Sequence, residues 1–516
     1  MHLYYLPIAV VLYMATFHFW RKLQKRPPTP FLCLPVIGHF WLVTFPLAEC
    51  LAKLAERYGP IVYLEFGWTR SLAVCSASAV EECLSKNDVA FCNRPHRILI
   101  GKYAGNNFTS INFAPYGPHW RNLRRIAAVE LLSSHRLQSL SGIHIRADEV
   151  RLLVQRLYSK VIAGSDTESK SKVVDMRPEL FDMAMSVMTR LIFGKRYQGL
   201  QANSAKKLEK MVETFFGFAN VVHFGDFIPY LRWLDWGKER RLQKFKQDRD
   251  ALMRDLIEEY IMEMKVKDCH SENNDDSTVK VKPMLQVLLE LQQSQPEYYK
   301  DEIIFSILLD LLVGGSDSSA TTIEWAFSLL LNHPEVLKKA HTEIENHVGH
   351  DRLLAESDLK SLPYVQCIIK ETLRMYPPNP TLFPHESSKD CIVGGYLIPQ
   401  GTSLDVNIWA IQNDPNIWGD PQNFRPERFD GVEGYRIGFK MMPFGSGRRI
   451  CPGEGLAIRV LSLAIGSLIQ CFEWERIDDQ LVDMNKVPDL FMHKIVPLQA
   501  RVAPRHGAIT KLLTKI

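Results

Sequence analysis

Apolar residues recur every three to four positions through most of this chain and alternate with polar ones only in brief stretches. The first pattern is that of helices buried on one face, the second that of half-buried strands. Ile-Val-Tyr-Leu-Glu-Phe at 61–66 and Ser-Leu-Ala-Val at 71–74 predict a strand pair around a turn at Gly67 and Trp68. Branched and aromatic side chains suit the strands, and glycine suits the turn. A helix is predicted to begin within 79–84. From residue 152 onward helical patterns dominate, with 240–265 and 364–375 as clear cases, the second starting just behind Pro363. The expectation is a mainly α fold with a small β region.

The longest apolar helical run, 301–331, is interrupted by Gly314, Gly315, Ser316, Asp317, Ser318 and Ser319. An interior glycine costs about 1 kcal/mol against alanine, and serine hydroxyls can bond back to backbone carbonyls and bend a helix. A carboxylate among apolar residues must find a partner or shift its pKa upward. Such crowding of local penalties points to a site rather than to scaffolding. The plain alternative is a kink filled by ordered water.

Residues 3–20 are almost wholly apolar and carry no full charge. At about 1.5 Å per residue they roughly span a hydrocarbon core of about 30 Å. They predict a membrane anchor over 1–20. A cleaved signal peptide fits less well, because no basic stretch precedes them and Phe17-His18-Phe19-Trp20 is no small-residue cleavage site. Arg21, Lys22, Lys25 and Arg26 follow, and basic flanks stay cytoplasmic, so the body is expected to face the cytosol. Pro27, Pro28, Pro30 and Pro35 make 21–40 a basic, stiff hinge. Nothing in 41–516 resembles a linker between domains, although the polar tract 265–282 reads as a mobile surface loop.

Composition narrows the possible partners. With 62 basic and 58 acidic residues the net charge is +4, too even to argue for nucleic acid. Ten cysteines lie without the spacing of a disulfide framework or zinc site, which suits a reducing compartment. His341, His347 and His350 sit in a polar run and read as a solvated helix end, not a metal site.

One cysteine stands apart. In Phe444-Gly445-Ser446-Gly447-Arg448-Arg449-Ile450-Cys451-Pro452-Gly453, the proline suits the first turn of a helix continued by the apolar run 456–468, which puts Cys451 at a helix N-terminus. That position and the neighbouring arginines both lower a thiol pKa, and the thiolate is the form that ligates metal. The three glycines suit close backbone approach. A flat macrocycle could lie here with Cys451 as axial ligand of its iron and Phe444 shielding the sulfur. Taken without context, Cys451 would be one more buried thiol packed as a small hydrophobe.

The spacing Phe-x-x-Gly-x-Arg-x-Cys-x-Gly resembles the cytochrome P-450 (haem-thiolate monooxygenase) family at each fixed point. The resemblance extends to the proline hinge and to the block at 314–319, which is similar to the family's oxygen-activation segment, with Asp317 and Ser318 as the expected acid and hydroxyl. Ser318 stands where threonine is usual. Glu371 and Arg374 match the family's Glu-x-x-Arg pair, completed by Arg428 from Phe424-Arg425-Pro426-Glu427-Arg428-Phe429, and imply a structural network behind the cysteine loop. Trp120 and Arg124 match Trp-x-x-x-Arg, and with His385 and Arg449 they are the implied contacts of the haem propionates.

The resemblance implies haem b (iron protoporphyrin IX with an axial thiolate on Cys451) and one oxygen atom inserted from O2 into a C–H bond. Electrons would come from NADPH through a membrane-bound NADPH-cytochrome reductase, with a cytochrome b-type donor as a further source. Lys440 and Arg448 are the expected docking bases. Details such as Pro377-Pro378-Asn379-Pro380 look like plant microsomal members acting on isoflavonoids, lignans and terpenoids, anchored in the endoplasmic reticulum. Phe108, Phe113, Phe215, Phe216, Phe218, Phe224, Phe383 and Phe491 are the expected walls for a small apolar substrate, with core packing as the equal alternative for each. The rival readings are a haem-thiolate isomerase or dehydratase that needs no reductase, and a non-catalytic haem-binding membrane protein.

Overall fold

The computed structural model describes residues 25–505 and Thr16, apart from 97–98, 163–170, 198–199, 201 and 271–281. The apolar N-terminal segment and the core of the polar tract at 271–276 therefore lie, Thr16 aside, outside the described residues.

Strands β1 (Ile61–Phe66) and β2 (Thr69–Val74) form the expected antiparallel pair, with Ile61 opposite Val74. Gly67 turns between them at φ +60°, and a Cβ there would meet the Phe227 carbonyl at 2.5 Å, so the turn needs glycine on both counts. Two later strands, β3 (His385–Glu386) and β4 (Thr402–Val406), complete a four-stranded sheet in the order β1-β2-β4-β3, with β4 parallel to β2. This sheet carries His385 toward the helical body.

The helices that matter for the site are α1 (Pro118–Arg125), α2 (Met176–Phe193), α3 (Ala202–Ala219), α4 (Trp236–His270), α5 (Asp301–Asn332), α6 (Pro363–Met375) and α7 (Glu454–Cys471). Helix α5 opens with Asp301 and Glu302, whose charges suit the positive end of the helix dipole, and stops at His333 before Pro334. It is buried along most of its length, as is α7. Both are long and apolar enough to cross a membrane, yet each is largely enclosed by the body, where it serves as core. Met188 of α2 packs over Gly315 so closely that a Cβ there would lie 2.3 Å from the sulfur. That glycine is what lets α2 and α5 approach.

Three expectations change. Helix α4 runs to His270 rather than 265, because Val266, Lys267 and Asp268 offer neither proline nor glycine to stop it. Helix α5 continues unbroken through Gly314–Ser319. The hydroxyls of Ser316, Ser318 and Ser319 donate to the carbonyls of Leu312, Gly314 and Gly315 at 2.7, 2.8 and 3.0 Å, so the polar side chains are satisfied within the helix that holds them. Helix α7 begins at Glu454 with Gly453 as its N-cap, which leaves Cys451 and Pro452 outside it. The reason is local: the Cys451 amide donates to Phe444 O at 2.9 Å and the Ile450 amide to Gly447 O at 3.2 Å, closing a loop instead of a helical turn.

Candidate active site

The cysteine loop is held from several directions. Gly445 and Gly447 both have positive φ (+78° and +73°), and a Cβ on Gly447 would meet the Leu84 carbonyl at 2.8 Å and Asp88 Oδ1 at 2.7 Å. Close approach is thus a property of Gly447, whereas a Cβ on Gly453 would stand 3.8 Å from Cys451 Sγ in ordinary contact. Asp88 accepts from the Arg448 amide at 3.1 Å and pairs with its guanidinium at 3.0 Å. Arg124 reaches in from α1 and donates to the Ile450 carbonyl at 2.6 Å, one residue before the cysteine.

Beneath the loop, Glu371 and Arg374 of α6 pair at 2.6 Å with both side chains fully buried, and Arg428 adds a 3.2 Å contact to the same carboxylate. Arg374 also donates to the carbonyls of Gln412 and Pro421, and Arg428 to those of Trp418 and Gly419. With so many donors matched, the network is a brace for the chain that leads to the loop.

Cys451, Phe444, Gly453, Arg449, His385, Asp317 and Ser318 line one cavity of about 330 Å³. Its remaining walls are largely apolar, with Phe215, Phe216, Phe383 and Phe491 among them. The other expected aromatics lie elsewhere. Phe113 is buried beside Phe383, Phe108 packs over Gly101, Phe218 faces a second cavity, and Phe224 is exposed. Trp120 and Arg124 stand behind the wall, Trp120 donating to the Ile111 carbonyl at 3.1 Å beneath the Arg449 guanidinium.

The electrostatics divide the cavity. The Cys451 side chain is open to the cavity, yet desolvation by the surrounding body raises its pKa, which the Gly453 amide and Arg124 offset only in part. The expectation of a lowered value is corrected for the protein alone, because desolvation outweighs the donors. Near it, Arg94 and Arg449 line the cavity with Arg124 behind them, and among the described residues no carboxylate pairs with any of the three. Burial pushes Arg94 well below its usual value, with Arg449 adding repulsion, and takes Arg449 to about 10. His385 is likewise held neutral by burial and Arg94, its Nδ1 bonded to the Phe91 carbonyl at 2.8 Å. Buried cations that lack an acid fit a bound carboxylate, and beside an apolar cavity with one thiol they suit a flat, carboxylate-bearing metal macrocycle.

Across the cavity the charges are paired. Asp317 Oδ1 receives the Arg177 guanidinium, and Oδ2 receives His493 Nε2 at 2.8 Å. Burial would raise this carboxyl, but the two cations hold it below its ordinary value. Asp310, two turns earlier on α5 and fully enclosed, is raised by burial to about 6 despite the Asn112 amide donating to it at 3.3 Å. Gly314 has open space where a Cβ would sit.

Sequence reasoning missed Arg94, Arg177 and His493. Arg177 and His493 meet Asp317 from 140 and 176 residues away, and neither lies in a spacing pattern that could have announced it. His341 and His350 lie against Glu345 and His347 bonds to the Glu343 carbonyl, with His341 partly buried. Lys440 is exposed, while Arg448 is tied to Asp88.

A helical body that sets a cysteine loop and a carboxylate-bearing helix on one cavity defines the haem-thiolate class of enzyme. The family model for cytochrome P450 matches residues 27–502, and the chain belongs to that family. It is 46% identical over 489 residues to cytochrome P450 81Q32 of Catharanthus roseus, covering 94% of this chain and 93% of that one. It is 41% identical to an isoflavone 2'-hydroxylase of Glycyrrhiza echinata, with 96% of each covered, and 40% identical to a (+)-piperitol/(+)-sesamin synthase of Sesamum radiatum, covering 94% and 92%. Among solved structures, a zebra fish cytochrome P450 with abiraterone aligns at a TM-score of 0.71 and 25% identity, over 89% of this chain and all of that one. Membership makes the protein a monooxygenase and implies a haem-thiolate cofactor, with O2 and a reductase as the family's general partners.

Proposed function

We propose that the protein inserts one oxygen atom from O2 into a small, largely apolar plant metabolite of the isoflavonoid, lignan or terpenoid kind, drawing NADPH electrons through a reductase. The observation that carries this reading is one cavity bearing, on one side, a thiol and arginines that have no carboxylate partner among the described residues, an acid and hydroxyl on the other, and aromatic walls between. Relatives named for isoflavone hydroxylation and sesamin synthesis support the substrate class.

Haem b held by Cys451 would supply the activation of dioxygen. The chain's own residues do the rest. Arg449 and Arg94, with Arg124 and Trp120 behind them and His385 alongside, would receive the propionates; Phe444 and Gly453 would flank the sulfur. Arg124 also steadies the loop through Ile450. Asp317 and Ser318 would deliver protons to the oxygen side, a general-acid task set by geometry. Phe215, Phe216, Phe383 and Phe491 would exclude water and orient the ligand. Asp310, with its pKa near neutrality, would hold a substrate hydroxyl.

The basic-flanked apolar segment supports single-pass anchoring in the endoplasmic reticulum with the body in the cytosol. So do the exposed aromatics Trp41, Trp68, Tyr230 and Trp233, of which Trp68 and Tyr230 meet edge to face at 5.3 Å. The test is incubation with NADPH, a plant reductase and a panel of isoflavones, lignans and terpenoids under labelled O2. One labelled oxygen per product supports the reading; unlabelled rearranged product without reductase would replace it with the isomerase.

A further inference from the structure

Asp317 is not a free acid. Both of its oxygens accept from cations, so its ionised form is the stable one and it holds no proton of its own to give. A proton crossing it must be brought by a neighbour. Arg177 cannot bring one, because a guanidinium stays charged at any working pH. It is further engaged with Thr321 at 2.9 Å and Glu324 at 3.4 Å.

His493 is built differently. Its Nε2 faces Asp317 Oδ2 at 2.8 Å, while Nδ1 faces Asp489 Oδ2 at 3.7 Å on the other side of the ring. The side chain keeps 22% of its exposure, against 11% for Asp317. An imidazolium can release a proton from one nitrogen and keep the other. The ring is also well placed: Phe216 and Phe491 stand at 6.1 and 6.0 Å, the Trp325 indole of α5 donates to the Met492 carbonyl at 2.6 Å, and Asn220 accepts from the Leu490 amide at 3.1 Å.

We propose that His493 is a positioning residue that feeds protons to Asp317, passing its Nε2 proton to Oδ2 while Nδ1–H stays on the Asp489 side. In the step the Nε2–H bond of the imidazolium breaks and an Oδ2–H bond forms, leaving a neutral ring protonated at Nδ1; Asp317 is restored when it hands its proton into the cavity beside Ser318, and a proton from water then returns the ring to its cation at Nε2. No electrons move in this relay. The groups facing the ring are Asp317 from α5, Arg177 from α2 and Asp489 from its own segment. Together they hold His493 charged at neutral pH: burial lowers its pKa and Arg177 repels, but the two carboxylates prevail and raise it to about 9.

This inference rests on the monooxygenase reading, and the test separates the two. In the holoenzyme, His493→Gln keeps a donor toward Asp317 but cannot pass it a proton. The carbon monoxide spectrum of the reduced protein and the substrate-induced spin-state shift should be unchanged. Product per NADPH should fall roughly tenfold with peroxide rising in its place, and the solvent isotope effect should grow. Independently of turnover, the imidazole carbon resonance of His493 in the unaltered protein should titrate near pH 9 and move toward the ordinary histidine range in Asp317→Asn. A His493→Gln enzyme as tightly coupled as its parent, or a His493 resonance titrating at the ordinary value, overturns the proposal. Absence of the carbon monoxide signature in the unaltered protein would sink the haem reading instead.

Discussion

The two sides of the cavity are built by opposite means. On the cysteine side the geometry is local: the Phe444 carbonyl takes the Cys451 amide, two glycines hold positive φ, and the arginines nearby have no acid partner among the described residues. On the acid side the geometry is long-range, since Asp317 is clamped by residues from α2 and from the segment after β4, with charges matched. An unmatched cationic side awaits an anion, while a matched side is already at electrostatic rest and can afford only small movements of charge.

The brace under the cysteine side offers the largest break. Glu371→Gln removes the only full charge facing two buried or half-buried arginines at this point, and unfolding measurements should show a loss of about 3–5 kcal/mol together with poor haem retention. On the acid side, Asp317→Asn leaves Arg177 with Glu324 alone and His493 with Asp489 alone, and should cost about 1–3 kcal/mol in the same measurement. The helix between the two sides can be probed by two adjacent glycines. Gly315→Ala forces Met188 to shift and should destabilise by about 1–3 kcal/mol. Gly314→Ala meets open space and should gain up to about 1 kcal/mol of helix stability while altering turnover by intruding on the cavity.

A further effect is one of pH. His493 is raised from 6.5 to about 9, so its pairing stabilises fully below pH 6.5 and the benefit is lost as pH rises through about 9. Denaturant unfolding at pH 6 and pH 9.5 should show the unaltered protein losing more stability across that interval than His493→Gln does. Equal losses would mean that the acid side is not held by this cation.

The same contrast explains what could be read in advance. Phe444 to Gly453 stands out because loop, cysteine and cations are contiguous, and the strand pair at 61–74 was legible because alternation and a glycine turn are both local. The helix start was misplaced by a few residues, since Pro452 satisfies a helix rule while the Cys451 amide is spent on Phe444. Asp317 was visible, yet not its state. Whether it finds a partner depends on Arg177 and His493, which lie far away in sequence and in no recognisable spacing. The choice between wall and core stayed open for the aromatics because a phenylalanine on a helix or loop looks the same whether it faces a cavity, as Phe216 does, or the core, as Phe113 does.

The most direct test is optical. The holoprotein, reduced and exposed to carbon monoxide, should show the red-displaced Soret band of a thiolate-bound haem, and Cys451→Ala should abolish it while Cys92→Ala, altering a buried thiol outside the cavity lining, leaves it intact. A protein without that band, or one that keeps it after Cys451 is replaced, would contradict the assignment of this sulfur as the ligand on which the rest depends.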